Sequence, residues 1–285
     1  MDLTKEITMD RRDPAAVNGG ARMPSFFIPH GAGPCFFMDW NPPGTWHRMA
    51  GFLKGVAETL PARPRAIVLV SAHWLEPQFS ITGHARPQLI YDYSGFPQYT
   101  YELTYSAPGD PALAKKLVQR IVDESMDARV DGQRGFDHGM FIPLKLMFPG
   151  ADVPVIQLSL RRDLDPGAHL ELGRVLAALR DESVLIVGSG MSFHNMRGYG
   201  DARFTPVSAE FDDWLTNAVE SPPARRDALL RDWMQAPHAK LCHPAGGEEH
   251  LIPLLVAAGA GDESPGRKVY AERIMETTIS AFRFG

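Results

Sequence analysis

Three apolar runs in this chain each lead to a histidine: SFFIPHGAGP to His30, VLVSAHWLEP to His73 and VLIVGSGMSFHN to His194. An imidazole can bind a metal as a neutral ligand or carry a proton near neutral pH, so each run raises the same pair of chemistries. A lone histidine at a strand end is most often a hydrogen-bonded loop residue. Three at equivalent ends point to convergence, because ligands in open α/β sheets bind outside the carboxyl ends of the strands. RGFDHGMFIPL adds His138, with Gly139 beside it leaving room for a ligand. HPAGGEEHLIPLL places Glu248, Glu249 and His250 at a helix start. Acidic groups there complement the helix dipole, whereas an imidazolium is disfavoured. A neutral, metal-bound His250 avoids that penalty.

The other histidines read differently. His47, His84, His169 and His238 lie in polar or unpatterned surroundings and are expected at the surface. His243 is either a pocket residue, and so a candidate substrate contact, or part of a turn. Alternative chemistries lack their residues. GSGMS has Met191 where a nucleophile elbow needs glycine, and HGAGPC lacks the third glycine of a dinucleotide fingerprint. No Walker, HExxH or CxxC pattern is present. A mononuclear site of imidazoles with one carboxylate suits Fe(II) or Zn(II). Three protein ligands would leave positions open for a substrate and a second small molecule.

Such a site needs a scaffold that brings distant segments together. Strands are expected at 25–30, 66–73, 153–160 and 184–190, all aliphatic runs bounded by Gly, Pro or charge. Amphipathic helices are expected at 112–125, 167–181, 208–220, 224–236 and 249–259, with Asp110 capping the first and Pro111 just inside it. Strands apolar throughout, alternating with helices, predict an α/β layered domain whose sheet is covered on both faces. That domain would run from 23 to 285, after a polar arm at 1–22. The stretch 86–108 is too aromatic to be disordered and reads as a structured loop. Its aromatic residues, Tyr93 and Phe96 among them, either wall a ring-shaped substrate or pack across strands.

Composition narrows the partners. With 44% hydrophobic residues the chain can bury a sizeable core, and a net charge of −5 without a basic stripe argues against nucleic acid. Two cysteines, Cys35 and Cys242, make no disulfide framework and suit the cytoplasm. No apolar run is long enough for a membrane span. The arm lacks a signal-peptide core, and a partner surface could hold it, which admits a homo-oligomer.

Taken in order, IPHGAG, VLVSAHW, GFPQ followed by TYSAPGDP, GFDHG, SGMSFHN and EEHLIPLL resemble the class III extradiol ring-cleaving dioxygenases, in their DOPA 4,5-dioxygenase-like branch. The likeness covers nearly everything from Met23 onward. It implies a non-haem Fe(II) enzyme that uses O2 to open a substituted, DOPA- or caffeate-like catechol beside its hydroxyls, giving a muconic semialdehyde. By position, His30, His73 and His250 would be the metal ligands. His194 would be the acid–base residue, and His138 would hydrogen-bond on the substrate or oxygen side. The wider family uses two histidines and a glutamate, which makes Glu249 the alternative third ligand. Zinc would bind the same set. The rival readings are a zinc hydrolase on these ligands and a non-catalytic binding protein on this scaffold. The presence of both His194 and His138 favours catalysis over mere binding.

Overall fold

The computed structural model describes residues 22–285, so the polar arm other than Arg22 lies outside the described residues. Eight strands form one sheet: β1 (Ser25–Pro29), β2 (Ala66–Glu76), β3 (Phe79–Thr82), β4 (Ala128–Asp131), β5 (Val155–Arg161), β6 (Val184–Gly190), β7 (Gly266–Ile274) and β8 (Thr277–Phe284). Their order is β4-β3-β5-β2-β6-β1-β8-β7. The central four, β5-β2-β6-β1, are parallel, while β3 and β8 join them antiparallel on either side. The interleaved helices are α1 (His47–Val56), α2 (Pro111–Asp123), α3 (His138–Met147), α4 (Pro166–Ala177), α5 (Phe204–Val219), α6 (Pro223–Arg231), α7 (Ala239–Cys242) and α8 (Ile252–Gly261).

The central strands are apolar on both faces because both faces are covered. Ile67 and Leu69 of β2 enter a core shared with Met49 and Leu53 of α1 and Phe141 and Leu144 of α3. Val68 and Val70 enter the opposite core, with Leu117 of α2, Leu172 of α4 and Val256 of α8. The expected α/β architecture is thus borne out. Helix α8 is buried at every position, as a helix apolar all round must be. It lies close on α4, where side chains at Gly173 and Gly259 would run into the facing backbone.

The four expected strands and five expected helices are all present, with α2 starting as its sequence predicts: the Asp110 carboxylate accepts from Leu113 N at 2.9 Å ahead of Pro111. One boundary differs in a way that matters. Strand β2 does not stop at His73 but runs on to Glu76. Its pairing with β5 is in step to Val70–Leu158 and resumes only at Leu75–Leu160, so residues 71–74 bulge out of the ladder.

Helices α1, α3 and α7 and strands β3, β4, β7 and β8 were not expected from sequence. The hairpin of β7 and β8 closes at Met275 and Glu276, both in left-handed conformations (φ 44° and 66°). Gly200 N donates to Met275 O at 2.7 Å, and Thr205 Oγ1 to the Glu276 carboxylate at 2.9 Å. No helix among the described residues is long and apolar enough to cross a membrane.

Candidate metal centre and active site

Five histidines meet at one end of the parallel strands. His30 follows β1 directly, its backbone N donating to Gly190 O of β6 at 3.2 Å. His73 is carried on the β2 bulge, and His138 opens α3. His194 lies four residues past β6, with its N bonded to Cys242 O at 2.9 Å. His250 closes a single 3-10 turn, Glu248–His250, just before α8, and its carbonyl accepts from Met191 N at 3.0 Å.

The rings of His30, His73 and His250 form a near-equilateral triangle, with centres 4.8, 4.9 and 5.2 Å apart. His138 stands 4.0 Å from His73 on one side. On the other, His194 stacks on His250 at 3.4 Å with the planes 17° apart. Each ring of the triangle has one nitrogen turned outward to an acceptor. His30 Nδ1 is 3.0 Å from Gly31 O, His250 Nδ1 is 2.7 Å from Glu249 Oε1, and His73 Nδ1 is 3.5 Å from Asp92 Oδ2. The opposite nitrogens of His30 and His73, both Nε2, are buried with no hydrogen-bond partner among the described residues.

Leaving a buried polar atom unpaired is costly, and native structures rarely do so without a reason. An outward acceptor behind an inward nitrogen is the usual support of a metal-bound imidazole. Ligation also requires neutral rings. Burial, reinforced by the neighbouring imidazoles, pushes His30 and His250 well below the ordinary histidine range, and His73 down to about 3. Donor atoms of His30, His73 and His138 lie within 4.8 Å of one another, as do those of His194, Glu249 and His250, and such imidazole-rich sets suit a divalent transition ion.

Two carboxylates frame the cluster. Asp92 Oδ1 accepts from both the backbone N (2.9 Å) and Nδ1 (2.8 Å) of His138, while its other oxygen faces His73. Burial alone would raise its pKa, but the hydrogen bonds and charge of His138 win and hold it low. Glu249 Oε1 lies 2.7 Å from His250 Nδ1 and 3.7 Å from His194 Nδ1, so it faces the outer nitrogens of two rings. Burial raises its pKa. Asp92 was missed in the sequence; its one signal was a carboxylate set between Tyr91 and Tyr93 in an aromatic run.

Behind His73 lies a buried polar network. Ser71 Oγ donates to Asp137 at 2.8 Å and accepts from His73 N at 3.1 Å. Gln157 of β5 brackets Asp137 with its amide, donating to the carboxylate and accepting from Asp137 N. Arg134 reaches both the Asp137 carboxylate and His73 O. These bonds hold the bulge that presents the His73 ring. Asp137 thus spends its carboxylate here rather than capping α3, although it occupies the N-cap position.

A cavity of about 380 Å³ opens over the five rings, walled by Tyr93 and Phe96 as the sequence suggested and by Trp40, Trp46, Met196 and Tyr199, which it did not. Tyr93 donates its hydroxyl to Thr100 O at 2.6 Å and offers the cavity only its ring. Phe96 packs against Gly33, where a side chain would collide with it and where φ is +53°.

Two histidines are corrected. His243 does not line this cavity. It is fully buried, with Nε2 3.0 Å from Ser192 O and its ring against Phe211 and Trp233. His169, expected at the surface, is also fully buried: Nδ1 bonds Asp165 O (2.7 Å), Nε2 accepts from Arg161 N (3.1 Å), and Phe79 packs edge-on to the ring. His47 and His84 are exposed as expected, and His238 is half-buried beside Glu210.

The chain is similar to several known proteins. Residues 24–283 match the family of the catalytic LigB subunit of aromatic ring-opening dioxygenase. The chain is 41% identical over 237 residues to the dioxygenase tasH of Hapsidospora irregularis, covering 78% of this chain and 72% of that one. It is 38% identical over 244 residues to the 4,5-DOPA dioxygenase extradiol of Beta vulgaris, covering 84% and 87%. The crystal structure of uncharacterized protein JW3007 from Escherichia coli K12 superposes with a TM-score of 0.73 at 30% identity, over 93% of this chain and 100% of that one. Clustered imidazoles, an aromatic cavity and a match along nearly the whole described chain lead to one conclusion: the protein belongs to the LigB family and is an extradiol ring-cleaving dioxygenase.

Proposed function

We propose that the protein holds one Fe(II) ion through His30, His73 and His250 and opens the ring of a substituted catechol with O2, giving a muconic semialdehyde. The observation that carries this reading is the pair of buried, unpartnered Nε2 atoms on His30 and His73, in a triangle completed by His250. When bound, the ion would supply Lewis acidity toward the catechol hydroxyls and one-electron chemistry toward O2. Three neutral ligands would leave it its full charge, which favours a catecholate. Zinc suits the same ligands, so zinc in a purified sample would not exclude iron as the working ion.

The chain's own residues do the remaining work. His194 is the proton acceptor for a catechol hydroxyl and the donor later in the cycle. It lines the cavity, while its Nδ1 faces Glu249 at 3.7 Å. Burial lowers its pKa to about 4, so the resting ring is neutral and free to accept a proton. An anionic substrate opposes that lowering, because a nearby negative charge favours the imidazolium. His138 binds Asp92 through Nδ1, which leaves Nε2 for a hydrogen bond in the cavity. Tyr93, Phe96, Trp40 and Trp46 enclose the ring and exclude water. The names of the relatives, DOPA dioxygenases among them, support a catechol bearing a side chain. Two buried free cysteines, Cys35 and Cys242, support a reducing compartment such as the cytoplasm.

The test is oxygen uptake by anaerobically iron-loaded protein given a 4-substituted catechol. One O2 consumed per catechol, with a yellow ring-opened product, is expected. Binding without uptake would overturn the reading, and so would activity with zinc alone on an ester substrate.

A further inference from the structure

We infer that Arg197 and Lys240 form an anion subsite that receives a carboxylate on the side chain of the catechol. The inference rests on the catechol reading above and adds which catechols are preferred. A second cleft, of about 530 Å³, is lined by Arg197, Lys240 and the loop from Pro244 to Gly247. Its wall also includes His194 and Met196, the same two residues that line the catechol cavity. The two spaces therefore meet at those residues, and a tail directed past Met196 would reach the cleft.

The charges are distributed as such a tail requires. No lysine or arginine among the described residues lines the catechol cavity. In the cleft, neither the Arg197 nor the Lys240 side chain has a hydrogen bond or ion pair among the described residues. Both are exposed and available. Of the acids nearby, Glu248 is folded back on the loop, its Oε2 accepting from Gly246 N at 2.6 Å and Gly247 N at 3.1 Å, and Glu249 faces the His250 and His194 rings.

The frame beneath the cations is fixed. Asn195, 9% exposed, donates from Nδ2 to Leu241 O at 2.8 Å and accepts at Oδ1 from Arg197 N at 3.0 Å. One buried amide thus ties the backbone of Arg197 to the residue after Lys240. Guanidinium and ammonium groups held on a common frame suit a carboxylate through charge-assisted hydrogen bonds. Their exposure means that salt screens the attraction.

The test compares two substrates, 3-(3,4-dihydroxyphenyl)propanoate and the neutral 4-methylcatechol, on the iron-loaded full chain. In R197Q/K240Q the KM for the acid should rise roughly 3- to 30-fold, the scale of one or two exposed charge-assisted contacts. Its kcat should hold, as should both constants for 4-methylcatechol. The wild-type preference for the acid should shrink at high salt, and R197K should retain most of it. Equal changes for both substrates, or none, overturn the subsite while leaving ring cleavage standing. Failure of the wild-type protein to consume O2 with either catechol overturns the catechol reading and the subsite with it.

Discussion

His30 and His169 are both buried, at 2% and 0% exposure, yet their rings are treated in opposite ways. His169, on the far side of the sheet, has both nitrogens hydrogen-bonded to backbone and an aromatic edge against its face. His30 has one nitrogen bonded and the other, equally enclosed, with nothing to bond. The first ring is satisfied by folding; the second is left for something that folding does not supply. Burial alone therefore does not separate a structural from a functional histidine, whereas the count of satisfied nitrogens does. It follows that removing His169 should damage the fold and spare the chemistry, and that removing His30 should do the reverse.

The largest effect should come from the triangle. Alanine at His30, His73 or His250 should lower bound iron by about 10-fold or more, since loss of a supporting residue alone costs about 10–100-fold, and should remove nearly all turnover. Metal analysis alongside calorimetry in chelator reads both properties, and the metal-free melting temperature should barely move. A collapsed fold with normal iron in the His30 variant would erase the contrast. Full iron in His250→Ala, with loss in Glu249→Ala, would transfer the third ligand to Glu249.

Next comes His194→Phe, which should keep its iron and still bind catechol while losing about 10²–10⁴-fold in rate, the usual worth of a positioned acid–base group. Iron loss in this variant would make His194 a ligand. Asp92→Asn should be milder, at about 10–100-fold in activity, because it weakens the support of His138 and His73 without removing either ring. An unchanged rate would show that Asp92 merely packs.

His169→Ala should cost about 1–3 kcal/mol of stability by leaving Arg161 N unpaired, with iron content and rate per iron unchanged. Its pH signature sharpens the contrast. Burial lowers the folded pKa of His169 to about 4, so the unfolded chain takes up the proton first. The stability contribution is complete above about pH 6.5 and erodes as pH falls toward the folded value, by roughly 3 kcal/mol at most. Acid melting curves of a His169→Gln protein should show a correspondingly flatter slope in that window. The smallest effect is expected from starting the chain at Met23, which should leave turnover intact; a collapse of turnover in a folded protein would give the arm a place in the site.

The parallel centre of the sheet was legible because β2 and β6 are apolar at nearly every position, which only a doubly covered strand sustains. Helix α3 was hidden for a related reason: HGMFIPLKLM is apolar all round and contains Pro143, so it shows no amphipathic period. The hairpin β7–β8 escaped because its turn is Met275-Glu276 rather than a glycine pair, and because β7 is mostly polar. Within the site, the five converging histidines were readable from their strand and helix ends. The more distant partners were not, since Asp92 is far in sequence from the ring of His138, and outside the site Phe79 is farther still from His169. Local polarity around His169 suggested solvent, and a distant strand decided otherwise.

The turn at Met275 and Glu276 sets a limit on how this enzyme can be made hardier. Two consecutive left-handed residues with side chains each carry a backbone cost of about 1–2 kcal/mol that Asn-Gly would largely relieve. Yet Met275 forms part of the cavity wall, and the Glu276 carboxylate is the acceptor that pins the turn to Thr205 of α5. An engineer scanning for ideal hairpins would choose this site first. The gain in thermal tolerance would come with a gap in the pocket, so heat resistance and substrate fit are set against each other at Met275.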